Sequence, residues 1–509
     1  MSAHEPQPET LLDVIIVGAG LSGIGAAVKL QQECPDKSYA ILEARDAIGG
    51  TWDLFRYPGI RSDSDMYTLS YDFKPWTNDK AIADGPDIRA YINDTADQYR
   101  VREHIRLGHR VIKAGWSSDQ ACWTLQVAHH DADGKPHTSI LRSRFLYLCS
   151  GYYSYEEAYR PDFPDEASFK GRIVHPQFWP EDLDYSDQQV VVIGSGATAI
   201  TLIPAMAKQA AHVTMLQRSP TYVVNRPLRD KLALAMQRIM PAKAAHSLTR
   251  WKHILLGIFY YRLAKRRPHM LKKRLIQMAA AELGPDVDTR HFTPDYNPWD
   301  QRICVAPDGD LFKDIRQGRA SVVTEHIERF TADGIQLKNG DVLPADLIVV
   351  ATGLKLNMLG DIQMQVDGQP INPADTMAYK GMMLSGVPNC AMAFGYVNSS
   401  WTLKADLTAG YVCRLLHYMD EHKLAVAIPE RDPAVAEEPF LSFTSGYVQR
   451  ASQVLPKQGD RVPWQVYQNY LQDRKIMRNS PIDDGVLRFY PAPAATPVST
   501  AADTANQGA

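Results

Sequence analysis

The apolar positions of the chain keep two rhythms. Short, mostly apolar runs of aliphatic, β-branched and aromatic residues, each closed by a turn of small residues, occupy 11–17, 145–148, 189–193 and 347–350. Runs of this length predict strands buried on both faces, as in a parallel sheet covered by helices. Helical periodicity follows two of them, over 24–33 and on to Lys208, and each of these helices leads to a second short strand, at 38–42 and 212–216. From about 228 to 297 the strand–turn pattern yields to helical periodicity alone, and a last long helix is expected from 403 to about 421.

The turns between strand and helix decide what the two repeated units are for. The first reads Gly18-Ala19-Gly20-Leu21-Ser22-Gly23, and its second strand ends in Glu43, 20 residues beyond Gly23. Strand, G-x-G-x-x-G turn and helix form a dinucleotide-binding unit, in which the three glycines serve the tight turn, the approach of the pyrophosphate and helix–strand packing. The helix N-terminus presents N–H groups to the phosphates. A carboxylate at the end of the second strand accepts hydrogen bonds from a ribose diol and repels a 2′-phosphate, which suits FAD or NAD. The second turn reads Gly194-Ser195-Gly196-Ala197-Thr198-Ala199, and there the second strand runs into Gln217-Arg218-Ser219. Arg218 stands 19 residues after Ala199, where a guanidinium can take a 2′-phosphate on two donors. An acid behind one turn and a base behind the other assign FAD to the first and NADPH to the second. The expected class is therefore α/β, with two Rossmann-like domains. The FAD domain should comprise 1–152 and 355–490 and the NADPH domain 153–227 and 299–354; 228–298 form a helical insertion and 491–509 a disordered tail.

Composition removes several alternatives. A chain of 509 residues exceeds one ordinary domain, and 45% apolar with 22% charged residues is a soluble globular balance. A net charge of −3 gives no signal for nucleic acid. The six cysteines are scattered without a Cys-x-x-Cys pair, which excludes a disulfide reductase of the same two-nucleotide plan. They read as free thiols, no metal site is indicated, and no signal peptide is recognisable at the start, so a cytoplasmic location is expected. Residues 250–274 hold nine Lys or Arg and no acid, interleaved with aromatic side chains. A solvated helix face covering a tunnel is the favoured reading there, and peripheral membrane contact the other.

Between the two turns lies F-K-G-R-I-V-H-P-Q-F-W-P, residues 169–180, whose Phe169, Gly171, His175 and Trp179 would otherwise read as a proline-punctuated connector. At these spacings it resembles the F-x-G-x-x-x-H-x-x-x-W-P fingerprint of Baeyer–Villiger monooxygenases. Further stretches carry the resemblance across nearly the whole chain: T-W-D-L-F-R-Y-P-G-I-R-S-D-S-D from Thr51, M-L-Q-R-S-P-T-Y, Y-N-P-W-D-Q-R ending at Arg302, and M-A-Y-K-G-M-M-L-S-G. They are similar to the ethionamide-activating subgroup of that family.

The resemblance implies bound FAD, consumption of NADPH and O₂, and conversion of ketones to esters or lactones through a C4a-peroxyflavin, with sulfoxidation of thioethers and thioamides. Thr51 and Trp52 would cover the flavin, and Thr198 and Ser219 would stand at the NADPH turn. Asp63 would be the carboxylate beside the flavin and Arg302 the catalytic arginine. Read without the family, Asp63 is equally a turn-forming aspartate and Arg302 a loop arginine of the surface. A lysine often precedes that arginine in the family, but here Gln301 does. His175 and Trp179 would transmit domain movement rather than touch substrate. The aromatic stretches 377–386 and 394–402 offer a lining for the substrate cavity, or core. Two rival readings share the turns: an N- or S-hydroxylating flavin monooxygenase, and a non-catalytic NADPH redox sensor acting through the basic helices.

Overall fold

The computed structural model describes residues 11–131, 133–441 and 446–493. The expected tail beyond 493 lies outside them. Two sheets organise the chain. In the first, the strand Leu12–Val17 pairs in parallel with Tyr39–Leu42 on one side and with the end of Pro136–Leu148 on the other. Its residues Ile15 and Ile16 are fully buried, which is why the run needed no polar alternation. The 13-residue strand Pro136–Leu148 serves three partners. Its first part pairs antiparallel with Cys122–His130, which continues to Arg110–Ser117; its last part joins the parallel core, with Cys390–Met392 also alongside. The antiparallel extension was not evident from the apolar runs. Its strand Cys122–His130 alternates buried and half-covered positions, a weaker signal than an unbroken run.

The second sheet has five parallel strands in the order Ala320–Thr324, His212–Gln217, Gln189–Ile193, Leu347–Val350, Arg172–Val174. A three-stranded antiparallel meander, Ile327–Thr331, Gly334–Leu337 and Val342–Pro344, packs against it through Phe330 and Ile335. The chain crosses between the sheets in Tyr153–Ala158 and in Leu354–Leu356, and these two segments pair antiparallel. Helices Lys231–Ile239, Ala242–Arg266 and Pro268–Leu283 fill the region read as helical, with Pro268 at the first turn of the last one. The helix Trp401–Glu421 lies against the first nucleotide helix, Leu21–Glu33. Both glycine turns thus end at the C-terminal edges of parallel strands, where open α/β sheets bind ligands.

Candidate active site

At the first turn Gly18 takes φ +104°, and a Cβ there would lie 2.5 Å from the Cys149 carbonyl oxygen. A Cβ on Gly23 would lie 1.8 Å from the Gly18 carbonyl oxygen. Backbone packing therefore demands both glycines. Gly20 differs, because its Cβ would meet nothing nearer than the Gly50 Cα at 3.4 Å. Gly20 and Gly50 touch backbone to backbone, since a Cβ on Gly50 would lie 3.0 Å from the Gly20 Cα, and together they give the cavity a stretch of bare backbone wall that fits a pyrophosphate. Behind it Glu43 is buried, its Oε2 accepting from the Ala19 N–H at 2.7 Å and its Oε1 from the Arg45 N–H at 2.9 Å. Burial raises its pKa above the ordinary carboxylate value, and the two backbone donors oppose that rise. Each oxygen keeps accepting capacity for a ribose hydroxyl.

The loop after this unit is held from three directions. Asp53, buried beneath it, pairs with Arg45, Arg56 and Arg89 at 2.6, 2.7 and 3.2 Å. Tyr153 Oη donates to Thr51 Oγ1 at 2.5 Å. Further on, Gly59 at φ +75° lies so close to the second nucleotide helix that a Cβ would come within 2.6 Å of the Ala205 Cβ. Arg61 reaches across to Asp310, Nη1 to Oδ2 at 2.5 Å. Two residues later Asp63 Oδ2 meets Arg302 Nε at 3.1 Å. The two residues that the sequence offered separately as carboxylate and arginine form one ion pair, 239 positions apart in the chain.

At the second turn Gly194 takes φ +133°, and a Cβ would lie 2.3 Å from the Ala351 carbonyl oxygen. Gly196 opens onto free space, with nothing within 4 Å of a built Cβ. Gly194 N–H donates to the Leu216 carbonyl at 2.8 Å, which places Arg218 and Ser219 just beyond the turn. Both are exposed, and Ser195 Oγ donates to the Ser219 carbonyl at 3.3 Å. Arg218 forms no ion pair among the described residues.

One cavity of about 420 Å³ joins these parts, lined by Gly18, Gly20, Glu43, Thr51, Trp52 and Asp63 on one side and by Thr198 and Arg302 on the other. Arg218 and Ser219 stand outside it, as do Phe169, Gly171, His175 and Trp179. The linker residues instead hold the connection between the sheets. A Cβ on Gly171 would lie 2.2 Å from the Asp346 carbonyl oxygen, beside the edge strand, and Phe169 meets Phe330 edge to face. His175 Nδ1 accepts from the Gln177 N–H at 3.1 Å, and Gln177 Nε2 donates to the carbonyls of Ser154 and Tyr155. Burial lowers the His175 pKa to about 4, so the ring is neutral at pH 7 and free to accept. Trp179 packs on Tyr185.

The stretch 394–402 supplies Phe394, Tyr396 and Trp401 to the cavity wall. The stretch 377–386, also offered as a lining, is core instead: Met377, Tyr379 and Met383 are fully buried away from the cavity. Tyr153 and Tyr155, Arg61 with Asp310, and the contact of Trp401 Nε1 with Ser22 Oγ at 2.8 Å were not singled out from the sequence. The aromatic run Tyr152–Tyr153–Ser154–Tyr155 directly after a turn of small residues was the available signal.

Residues 12–248 match the family described as flavin-binding monooxygenase-like. The FAD-containing monooxygenase EthA of Mycobacterium tuberculosis is 53% identical over 95% of this chain and 98% of its own. The chain belongs to the flavin-binding monooxygenase-like family. A further relative is the probable FAD-binding monooxygenase AlmA of Acinetobacter baylyi, 49% identical over 94% of this chain and 96% of its own. Among solved structures, an oxidised steroid monooxygenase bound to NADP superposes with a TM-score of 0.73, at 22% identity over 95% of this chain and all of that one. Cyclohexanone monooxygenase in its open form gives 0.69 at 21% identity, over 83% of this chain and 90% of that one. These likenesses agree with the fold of two dinucleotide-binding units. No helix among the described residues is long and apolar enough to cross a membrane.

Proposed function

We propose that this member of the family holds FAD along the first glycine turn, takes NADPH at the second, and uses O₂ to convert ketones to esters or lactones. One oxygen atom enters the substrate between the carbonyl carbon and a migrating carbon, and the other leaves as water, with NADPH supplying the hydride. Thioethers and thioamides are the second substrate class, oxidised at sulfur. The observation that carries the reading is the Asp63–Arg302 pair, at 3.1 Å, in the wall of the cavity that Gly20 and Trp52 also line.

The chemistry that FAD supplies when bound is acceptance of the hydride and activation of O₂. The residues divide the remaining work. Gly20 and Gly50 leave the space for the pyrophosphate, and Glu43 orients the ribose. Thr51, held by Tyr153, and Trp52 close the cavity over the ring system and keep water out. Arg302 stabilises negative charge that develops on oxygen at the reacting carbonyl, and Asp63 holds its guanidinium in place. Arg218, exposed beside the second turn, receives the 2′-phosphate. Phe394, Tyr396 and Trp401 shape an apolar pocket for the substrate. The relative EthA, named as FAD-containing, supports the flavin assignment.

Arg302→Ala in the FAD-loaded enzyme tests the reading. Ester yield from a ketone should fall on the order of a hundredfold or more, with flavin content unchanged, since neither glycine turn is altered. Oxidation of a thioether should fall less, because sulfur needs an electrophilic oxygen donor rather than an anionic one. Wild-type ester yield with full flavin content removes Arg302 from the mechanism. Wild-type enzyme that oxidises the thioether and leaves every ketone untouched points instead to a pure sulfur-oxidising enzyme.

A further inference from the structure

The insertion helix Ala242–Arg266 has two faces of different purpose. Inward, Ile254 packs with Tyr396 and Leu403, and Tyr396 lines the active-site cavity. Arg250 fixes that face: its Nη2 meets Asp406 Oδ2 at 2.9 Å, and its Nη1 donates to the carbonyls of Tyr67, Thr68 and Ser70. Outward, a helix of this kind ordinarily presents polar side chains to water. Here Leu248, Leu255, Leu256, Phe259 and Tyr260 are 42–58% exposed. Positions 255, 256 and 259 recur at helical spacing and form one ridge, and Leu248 continues its line beyond Lys252, which pairs with Asp230. The preceding helix, Lys231–Ile239, packs on this one and exposes Leu232 and Ile239, the latter 82%. Single exposed apolar residues are ordinary, but a contiguous ridge marks a surface that something covers.

The charge around the ridge says what covers it. Arg262, Arg266 and Arg267 follow within two turns, all exposed, and Lys273 and Arg274 follow on the next helix. None of these five forms an ion pair among the described residues. On the other flank, where Trp251 meets Tyr470, Arg474 lies 5.6 Å from the Trp251 ring and Lys475 is exposed. A solvated, charged face explains the cations and leaves the leucines and Phe259 unexplained. A second copy of the chain on the same patch would bring uncompensated cations against cations. An anionic bilayer satisfies both sets, since apolar side chains enter between the headgroups while Lys and Arg stay at the phosphates.

We propose that the outer face of Ala242–Arg266 docks this enzyme on anionic lipid surfaces, lying in the interface without crossing it. Inner and outer faces belong to one helix, so docking sets the cavity wall beside the bilayer. Apolar substrates dissolved in lipid then have a short route to it. That second statement rests on the activity proposed above; docking itself does not.

Vesicle flotation of the full-length, FAD-loaded enzyme separates the two. The wild type should float with phosphatidylcholine–phosphatidylglycerol vesicles at low salt, float poorly with phosphatidylcholine alone, and detach as salt rises. The double variant Leu255→Ser/Phe259→Ser should stay at the bottom with both. The triple variant Arg262→Gln/Arg266→Gln/Arg267→Gln should lose the preference for anionic vesicles, with affinity lower on the order of tenfold or more. Flavin content and NADPH oxidation in solution should be unchanged in both, because every altered side chain is exposed and none lines the cavity. A wild type that never floats overturns the proposal, as do variants that float like the wild type. It also falls if the double variant only turns a dimer into a monomer by light scattering, which would make the ridge a contact between copies.

Discussion

The two glycine turns share one backbone plan and differ in how they are enclosed. At the first, Gly20 and Gly50 are in backbone contact, Glu43 is buried behind them, and residues of the 51–63 loop line the same cavity. At the second, Gly196 looks into open space and Arg218 stands exposed outside the cavity. An enclosed site suits a resident group that stays through many turnovers. An open one suits a co-substrate that must enter and leave. On the proposed assignment the acid and the base distinguish the ligands, and the enclosure distinguishes how long each is held.

The largest effect is expected where the first turn is closed. Gly20→Val should yield colourless protein, because the side chain would cover the bare backbone wall that the pyrophosphate needs. If absorbance spectra show full flavin content, this wall is not the flavin cradle and the contrast collapses. The milder pair Gly20→Ala and Gly196→Ala sharpens it. Neither Cβ meets a protein atom closer than 3.4 Å, so losses report on the ligands rather than on folding. Gly20→Ala should lower flavin occupancy, and Gly196→Ala should raise the KM for NADPH with flavin occupancy intact.

Next in size, Arg218→Ala should lower kcat/KM for NADPH by about 1.5–3 kcal/mol, on the order of ten- to a hundredfold, and leave NADH nearly unaffected. Equal losses with both nucleotides in steady-state assays would mean that the base behind the second turn does not read the 2′-phosphate.

The smallest effect concerns the linker that joins the two regions. Burial lowers His175 from 6.5 to about 4, so the unfolded chain binds its proton more readily than the folded one. Stability from this group is therefore present above pH 6.5 and is lost as pH falls from 6.5 toward 4. Protonation also removes the Nδ1 acceptor that the Gln177 N–H uses. Thermal unfolding across that window should show a shallower acid loss in His175→Gln than in the wild type. Identical slopes would mean that the ring is already solvated.

What could be read from the chain alone followed from local chemistry. Buried parallel strands announce themselves as unbroken apolar runs, and a glycine turn with an acid or a base about 20 residues on is a short-range pattern. Helical periodicity located the helices between 231 and 283 for the same reason. The antiparallel extension around Cys122–His130 was less legible, because pairing between half-covered strands depends on partners that no local window contains. The fit of Asp63 to Arg302 exists only once the two sheets are packed, and that of Trp401 to Ser22, 379 residues apart, only once the last long helix seats against the first nucleotide helix. The outer face of Ala242–Arg266 makes the same point in reverse. Composition shows its cations, but which leucines look outward is decided by which side of the helix Arg250 and Ile254 seat against the rest of the protein.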